Sequence, residues 1–144
     1  MSTRRSAPTR KSCVTSGKGS RYRAWRWGWI LEGRAIQDVW IVHPNSNRPD
    51  ATPVEYGTTV RVYDPKIDAW HCVWVGPIKN NLGVFTARQV GKEIVLETAS
   101  DQGRVGQWIF SDITEKSFRW RAQGSGDGGK TWHVIQEITV RRKR

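Results

Sequence analysis

Aromatic residues at every second position are the feature that most limits how this chain can fold. In residues 24–30 (AWRWGWI), Trp25, Trp27 and Trp29 fall on one side of an extended backbone and Arg26 on the other. A helix would scatter these rings around its axis, whereas a strand gathers them on one face. The same period of two returns along the chain. Ile36, Asp38, Trp40 and Val42 share a face within 34–43, and Trp70, Cys72 and Trp74 share one within 69–75. Trp108 and Phe110 do so within 104–111, and Phe118, Trp120 and Ala122 within 117–123. Trp132, Val134, Gln136, Ile138 and Val140 align within 131–140. Nine of 144 residues are tryptophan, so the interior must be able to hold large flat rings.

Turn chemistry separates these runs. Glu32-Gly33, Asp64-Pro65, Gly91-Lys92 and Asp101-Gln102-Gly103 are hairpin-length breaks. A polar loop spans 44–53, and a glycine-rich turn spans 124–130. Residues 55–63, 82–90 and 93–98 complete the set of strands. Residues 85–97 could be mistaken for a helix, but Gly91 and the β-branched residues argue against it. Short strands at regular spacing with short links predict an all-β antiparallel meander. A long meander must protect its edges, and rolling up does so best. The expected fold is therefore an up-and-down barrel of the lipocalin-like, or calycin, kind, fully or incompletely closed, with about eight or nine strands. An open β-sandwich is the second choice.

Several segments resemble a group of uncharacterised bacterial proteins classed as a domain of unknown function with lipocalin-like barrels. They are Asp38-Val39-Trp40, the run from Tyr56 to Pro65 (YGTTVRVYDP), Asp68-Ala69-Trp70, the run from Trp108 to Thr114 (WIFSDIT), Ser117-Phe118-Arg119-Trp120-Arg121, and Asp127-Gly128-Gly129-Lys130-Thr131-Trp132. The resemblance covers about residues 25–141. It implies the barrel and says little about function. Members of that group carry one or two further strands before the Trp25 strand, where this chain has a basic, serine-rich segment. The resemblance thus implies an unclosed seam beside Trp25, Trp27 and Trp29, and self-association through that edge.

Charge is concentrated at the two ends. The chain has 24 Lys and Arg against 13 Asp and Glu, a formal charge of +11. Eight of the basic residues and no acid lie in 1–27, and four more form Arg141-Arg142-Lys143-Arg144. The body is close to neutral, unlike a nucleic-acid-binding fold with charge spread over one face. Residues 1–23, rich in Ser, Thr, Arg and Lys, read as a disordered basic tail, 24–140 as the barrel, and 141–144 as a second tail. Cys13 lies in the first tail as a bystander thiol, and two cysteines cannot make a disulfide framework. No secretory signal or membrane span is visible, and the expected location is the cytoplasm.

The tryptophans have two readings. They either fill the core or wall a pocket that holds a few convergent polar groups. Trp40, Trp74, Trp108 and Trp120 are the candidate walls. Asp38 is the best polar candidate, because it shares a face with Trp40. If that face is interior, its carboxylate needs a partner, and Arg61, Arg88 and Arg121 are the candidates. Such a pair could be structural or could orient a ligand.

Other motifs resemble chemistry but have simpler explanations. Residues 125–132 (SGDGGKTW) fit the Asp-box pattern of sialidase propellers, but one copy cannot build a propeller. The box reads as a turn capped by Asp127 with Trp132 packed below it. His43, His71 and His133 lack metal-ligand spacing, and His71 and Cys72 point to opposite faces. Asp112 and Glu115 read as turn carboxylates, and no phosphate-cradling or nucleophile motif occurs.

The leading expectation is a non-catalytic barrel binding a small, mostly apolar ligand between tryptophans, with neither metal nor cofactor. The second is a nucleic-acid or anionic-partner binder acting through its basic tails. The third is an enzyme with polar groups inside the barrel. A monomer, or a homodimer through an open barrel edge, fits the first.

Overall fold

The computed structural model describes residues 11–15, 22–44 and 52–142. Ten strands make one sheet: β1 (Lys11–Thr15), β2 (Tyr22–Ile30), β3 (Ala35–His43), β4 (Glu55–Asp64), β5 (Ala69–Gly76), β6 (Asn81–Val90), β7 (Glu93–Glu97), β8 (Val105–Ser111), β9 (Ser117–Ser125) and β10 (His133–Arg142). The only helical pieces among these residues are single 3₁₀ turns at Leu31–Gly33 and Pro77–Lys79. Among the described residues no helix is long and apolar enough to cross a membrane.

Strands β2 to β10 each pair antiparallel with the next, as expected of a meander. By themselves they make an open half-barrel. Nine alternating strands leave the first and last running in the same direction, so β2 and β10 could not close as an antiparallel pair. β1 solves this problem of parity. It runs antiparallel to both neighbours, from Lys11↔Trp27 to Thr15↔Arg23 on one side and from Cys13↔Arg142 to Thr15↔Val140 on the other. Bridging the seam completes a closed barrel. The closure is short: His133–Thr139 of β10 have no strand partner on that side among the described residues.

This corrects two expectations about the chain ends. Part of the segment read as a disordered tail, Lys11–Thr15, is the closing strand, and it occupies much of the edge proposed for dimerisation. Arg141 and Arg142, read as a second tail, are the last residues of β10. The physical reason is the same for both. A sheet edge offers unpaired N–H and C=O groups, and any extended backbone can satisfy them whatever its side chains. Tyr22 and Arg23, also assigned to the first tail, begin β2, and the remaining tail residues, 1–10, 16–21 and 143–144, lie outside the described residues.

The interior follows the two-residue alternation. Trp25, Trp40, Trp74, Phe85, Phe110 and Trp120 are buried in one cluster, with Trp27, Trp70, Trp108 and Phe118 packed against it. Trp25 lies at its centre, with ring centroids 5.1–6.0 Å from Trp27, Trp40, Phe110, Phe118 and Trp120. Contacts at these spacings add about 0.5–1.5 kcal/mol each beyond burial. The outward face of β5 and β6 is also apolar, with Val73, Val75, Leu82 and Val84 exposed. The aromatic rings therefore mark the inside more faithfully than hydrophobicity does.

Local chemistry sets the strand ends. Gly91 takes φ +61° in the two-residue link between Val90 and Glu93, a conformation open to glycine. The last strand begins at His133, two residues later than its sequence pattern indicates. The Asp127 carboxylate accepts hydrogen bonds from the backbone N–H of Lys130 and Thr131 and from the hydroxyls of Ser125 and Thr131. Those two amides are thereby held in the turn. The expected alignment from Trp132 to Val140 also breaks at a bulge between Val134 and Gln136, and only Ile138 and Val140 are buried.

The Asp127 turn carries a prediction. Its four hydroxyl and amide donors favour the ionised form, led by the Thr131 hydroxyl, and hold the carboxyl down to about 2. A depressed carboxyl stabilises the fold above its unfolded value and loses that effect as pH falls. The turn's contribution should therefore fade between pH 3.8 and about 2. A carbon-detected carboxyl titration should give Asp127 a midpoint near the lower figure; an ordinary aspartate midpoint would rule this account out.

Candidate functional site

Two cavities formed by the described residues open into the barrel from opposite ends, with the aromatic cluster between them. The first, of about 210 Å³, opens at the end where β4 and β6 begin. Its walls are Trp25, Trp40, Trp74, Trp108 and Trp120, contributed by five different strands. Thr59, Ala122 and Ile138 fill between the rings, and Glu55, Lys79, Asn81 and Gln136 complete the lining.

Local features explain the geometry. The Trp74 ring sits against Gly57, where a Cβ would overlap its Cη2 atom and approach Val75 O to 2.7 Å. Glycine at 57 is thus required for the ring to reach its place. The Trp74 Nε1–H donates to Asn81 Oδ1 at 2.6 Å, which locks this wall to the start of β6. The 3₁₀ turn at Pro77–Lys79 brings Lys79 Nζ within 3.8 Å of Glu55 Oε2. Trp108 stands 5.7 Å from both Trp74 and Trp120, edge to face in each case.

Asp38 and Arg61 form the polar centre of the barrel. Arg61 Nη1 donates to Asp38 Oδ2 at 2.8 Å, and the Thr59 backbone N–H donates to Oδ1 at 3.0 Å. The side chains of Asp38 and Arg61 are 0% and 8% exposed. The guanidinium also lies 4.5 Å from the Trp27 ring centroid, a cation–π contact. Both carboxylate oxygens are therefore engaged, as burial of a charge demands. Burial raises the nearby Cys72 thiol to about 11, so it stays neutral and unreactive near pH 7.

The second cavity, of about 360 Å³, lies at the opposite end. Trp27, Ile36, Phe110 and Phe118 line it, and Lys116 and Arg142 bring positive charge to it. It is the larger space, but Trp29 and Ile113 in its lining are each 48% exposed. Solvent reaches its walls, so it offers a ligand less burial than the tryptophan cavity does.

Six of the eight sequence candidates meet inside the barrel. Trp40, Trp74, Trp108 and Trp120 wall the smaller cavity, and Asp38 and Arg61 are paired beneath it. Arg88 and Arg121 do not join them. Phe85 and Ala87 point inward on β6, so Arg88 faces out and is exposed. Trp120 and Ala122 point inward on β9, so Arg121 faces out, 3.8 Å from Glu93. Period-two alternation excludes both arginines from the interior. The sequence reading missed Trp25, Thr59, Asn81 and Gln136 as lining residues. Trp25 had the signal, being in phase with Trp27, whereas Asn81 and Lys79 are placed by a turn that no periodicity marks.

His71 faces out, with Nε2 2.9 Å from Asp64 Oδ2, while Cys72 faces in. Among the described residues no three His, Cys, Asp or Glu side chains converge as a metal site would require. Asp112 lies 3.8 Å from Arg119 on the surface. Compared with known proteins, the sequence matches no family model and no curated protein.

Proposed function

We propose that this protein is a non-catalytic, lipocalin-like barrel that binds a small, mostly apolar molecule in its tryptophan cavity. The observation that carries the reading is a concave space walled by five indole rings. The site has the form of a small-molecule pocket, with aromatic walls and a few polar groups. At about 210 Å³ it is smaller than the ~300–1,000 Å³ of pockets for drug-sized ligands, and larger than the ~150 Å³ apolar cavity that accepts benzene. A frame of one or two rings is the matching size. The saturation of Asp38 by Arg61 and Thr59 supports a structural role for that carboxylate over a catalytic one. The resemblance to bacterial lipocalin-like proteins is in keeping with a binder, since such barrels enclose a single small ligand.

Indane, a two-ring hydrocarbon, is a suitable probe. Titrated into the protein, it should shift the indole N–H resonances of Trp25, Trp40, Trp74, Trp108 and Trp120 and leave Trp132 in place. Ala122→Leu adds bulk to the cavity wall and should weaken binding about tenfold, since the added methylenes compete for the same space. Indole signals that stay fixed up to the solubility of indane would count against the cavity as a binding site.

A further inference from the structure

The larger cavity, of about 360 Å³, brings two cations together on an apolar wall. Lys116 and Arg142 both line it, and strand alternation explains why. Val140 and Phe118 are cross-strand partners at this end of the barrel. Arg142 lies two residues beyond Val140, and Lys116 lies two residues before Phe118. The Arg142 backbone N–H donates to Lys116 O at 2.8 Å, so the alignment of β9 and β10 carries on to these two residues. Like charges set opposite each other across a ladder destabilise it. Among the described residues neither side chain makes an ion pair, not even with Glu115 in the same lining. The Thr114 and Ser117 hydroxyls there are 3.1 Å apart and engage each other. Below the cations the wall is aromatic, with the Phe110 ring centroid 5.9 Å from that of Trp27 and 5.5 Å from that of Phe118.

We propose that the larger cavity is a second binding site and takes an aromatic carboxylate. Its rings lie against Trp27, Phe110 and Phe118, and its carboxylate sits between Lys116 and Arg142. Aromatic walls favour a ring body, which gains offset or edge-to-face contacts beyond its buried area. The volume falls within the ~300–1,000 Å³ of pockets for drug-sized ligands. The anion relieves the repulsion between two adjacent cations. Both of those residues are exposed, so the head group keeps part of its hydration and escapes the full cost of burying a charge. The tryptophan cavity lacks this feature, because Lys79 lies beside Glu55 and Arg61 is held by Asp38. The two ends of the barrel thus select for different ligand chemistry.

The probes 2-naphthoate and 2-naphthamide share one two-ring frame and differ in charge, so their comparison isolates the claim. At low ionic strength the carboxylate should bind about fivefold more tightly than the amide, as two exposed ion pairs allow. The margin should shrink in about 1 M salt, where charges are screened beyond ~3 Å. Bound 2-naphthoate should shift the indole N–H resonances of Trp27 and Trp29 more than those of Trp40 and Trp74. Lys116→Gln with Arg142→Gln removes both charges from exposed positions and should bring the carboxylate down to the affinity of the amide. Lys116→Gln alone, in the link between β8 and β9, should lose about twofold and serves if the double variant does not fold. Arg104→Gln with Lys130→Gln removes the same net charge outside this lining and should leave the preference unchanged. Equal affinity for the two probes would overturn the proposal, as would a preference for the carboxylate that survives the changes at Lys116 and Arg142. Failure of both probes to bind would also overturn it, and would leave the tryptophan cavity standing, since indane reports on that site separately.

Discussion

Replacing Arg61 by methionine should destabilise the barrel by about 3–5 kcal/mol, the usual result of removing one partner from a buried ion pair. Asp38 has no exposed side-chain surface and, among the described residues, accepts from two donors, Arg61 and the Thr59 N–H. Losing the guanidinium leaves a carboxylate with one hydrogen bond in an aromatic interior, and also removes the contact with the Trp27 ring. The apolar pair Asp38→Leu with Arg61→Met has no charge to desolvate and should recover most of that loss. Urea unfolding of the two single variants and the double variant gives the coupling energy directly. A loss below about 1 kcal/mol for Arg61→Met would resemble an exposed pair and would refute a central role for this one.

Removing β1 should convert the protein into a self-associating species. Without Lys11–Thr15, the β2 residues from Arg23 to Trp27 and the β10 residues from Val140 to Arg142 lose their ladder partners. Each lost backbone bond forfeits about 0.5–1.5 kcal/mol net, and the freed edges become templates for a second chain. Light scattering after size exclusion should show mass rising with concentration in a chain lacking residues 1–15. Proline at 13 and 14 should act the same way in the full-length chain, since proline has no N–H to donate to the ladder. A truncated chain that stays monomeric at high concentration would show that β1 does not guard the seam.

The candidate site was legible where it depended on alternation. Trp40, Trp74, Trp108 and Trp120 lie inside because each is in phase with other bulky residues on its strand. Asp38 was legible for the same reason, and its burial created the demand for a partner that Arg61 meets. Alternation relates residues within a strand and says nothing about which face of its neighbour it meets. It does exclude Arg88 and Arg121 once the inward face of each strand is fixed, because Phe85 and Ala87 on β6 and Trp120 and Ala122 on β9 take the inner positions and leave both arginines outside. The polar mouth was not legible, because Lys79 and Asn81 reach it through a 3₁₀ turn followed by a left-handed residue, Asn80, at φ 48°.

The sequence by itself determined the class of fold and the contents of its interior. Side chains two residues apart share a face, and large rings must leave water, so the all-β meander and its aromatic core follow from order along the chain. Only the tertiary structure decided how the sheet closes, which arginine neutralises Asp38, and which two cations meet at the larger cavity. Closure depends on strand parity and on backbone hydrogen bonds that any residue type except proline can supply, so the composition of Lys11–Thr15 gave no hint of it. Both meetings depend on distances between residues far apart in sequence, such as the 23 positions separating Asp38 from Arg61, and those distances exist only once the register is set.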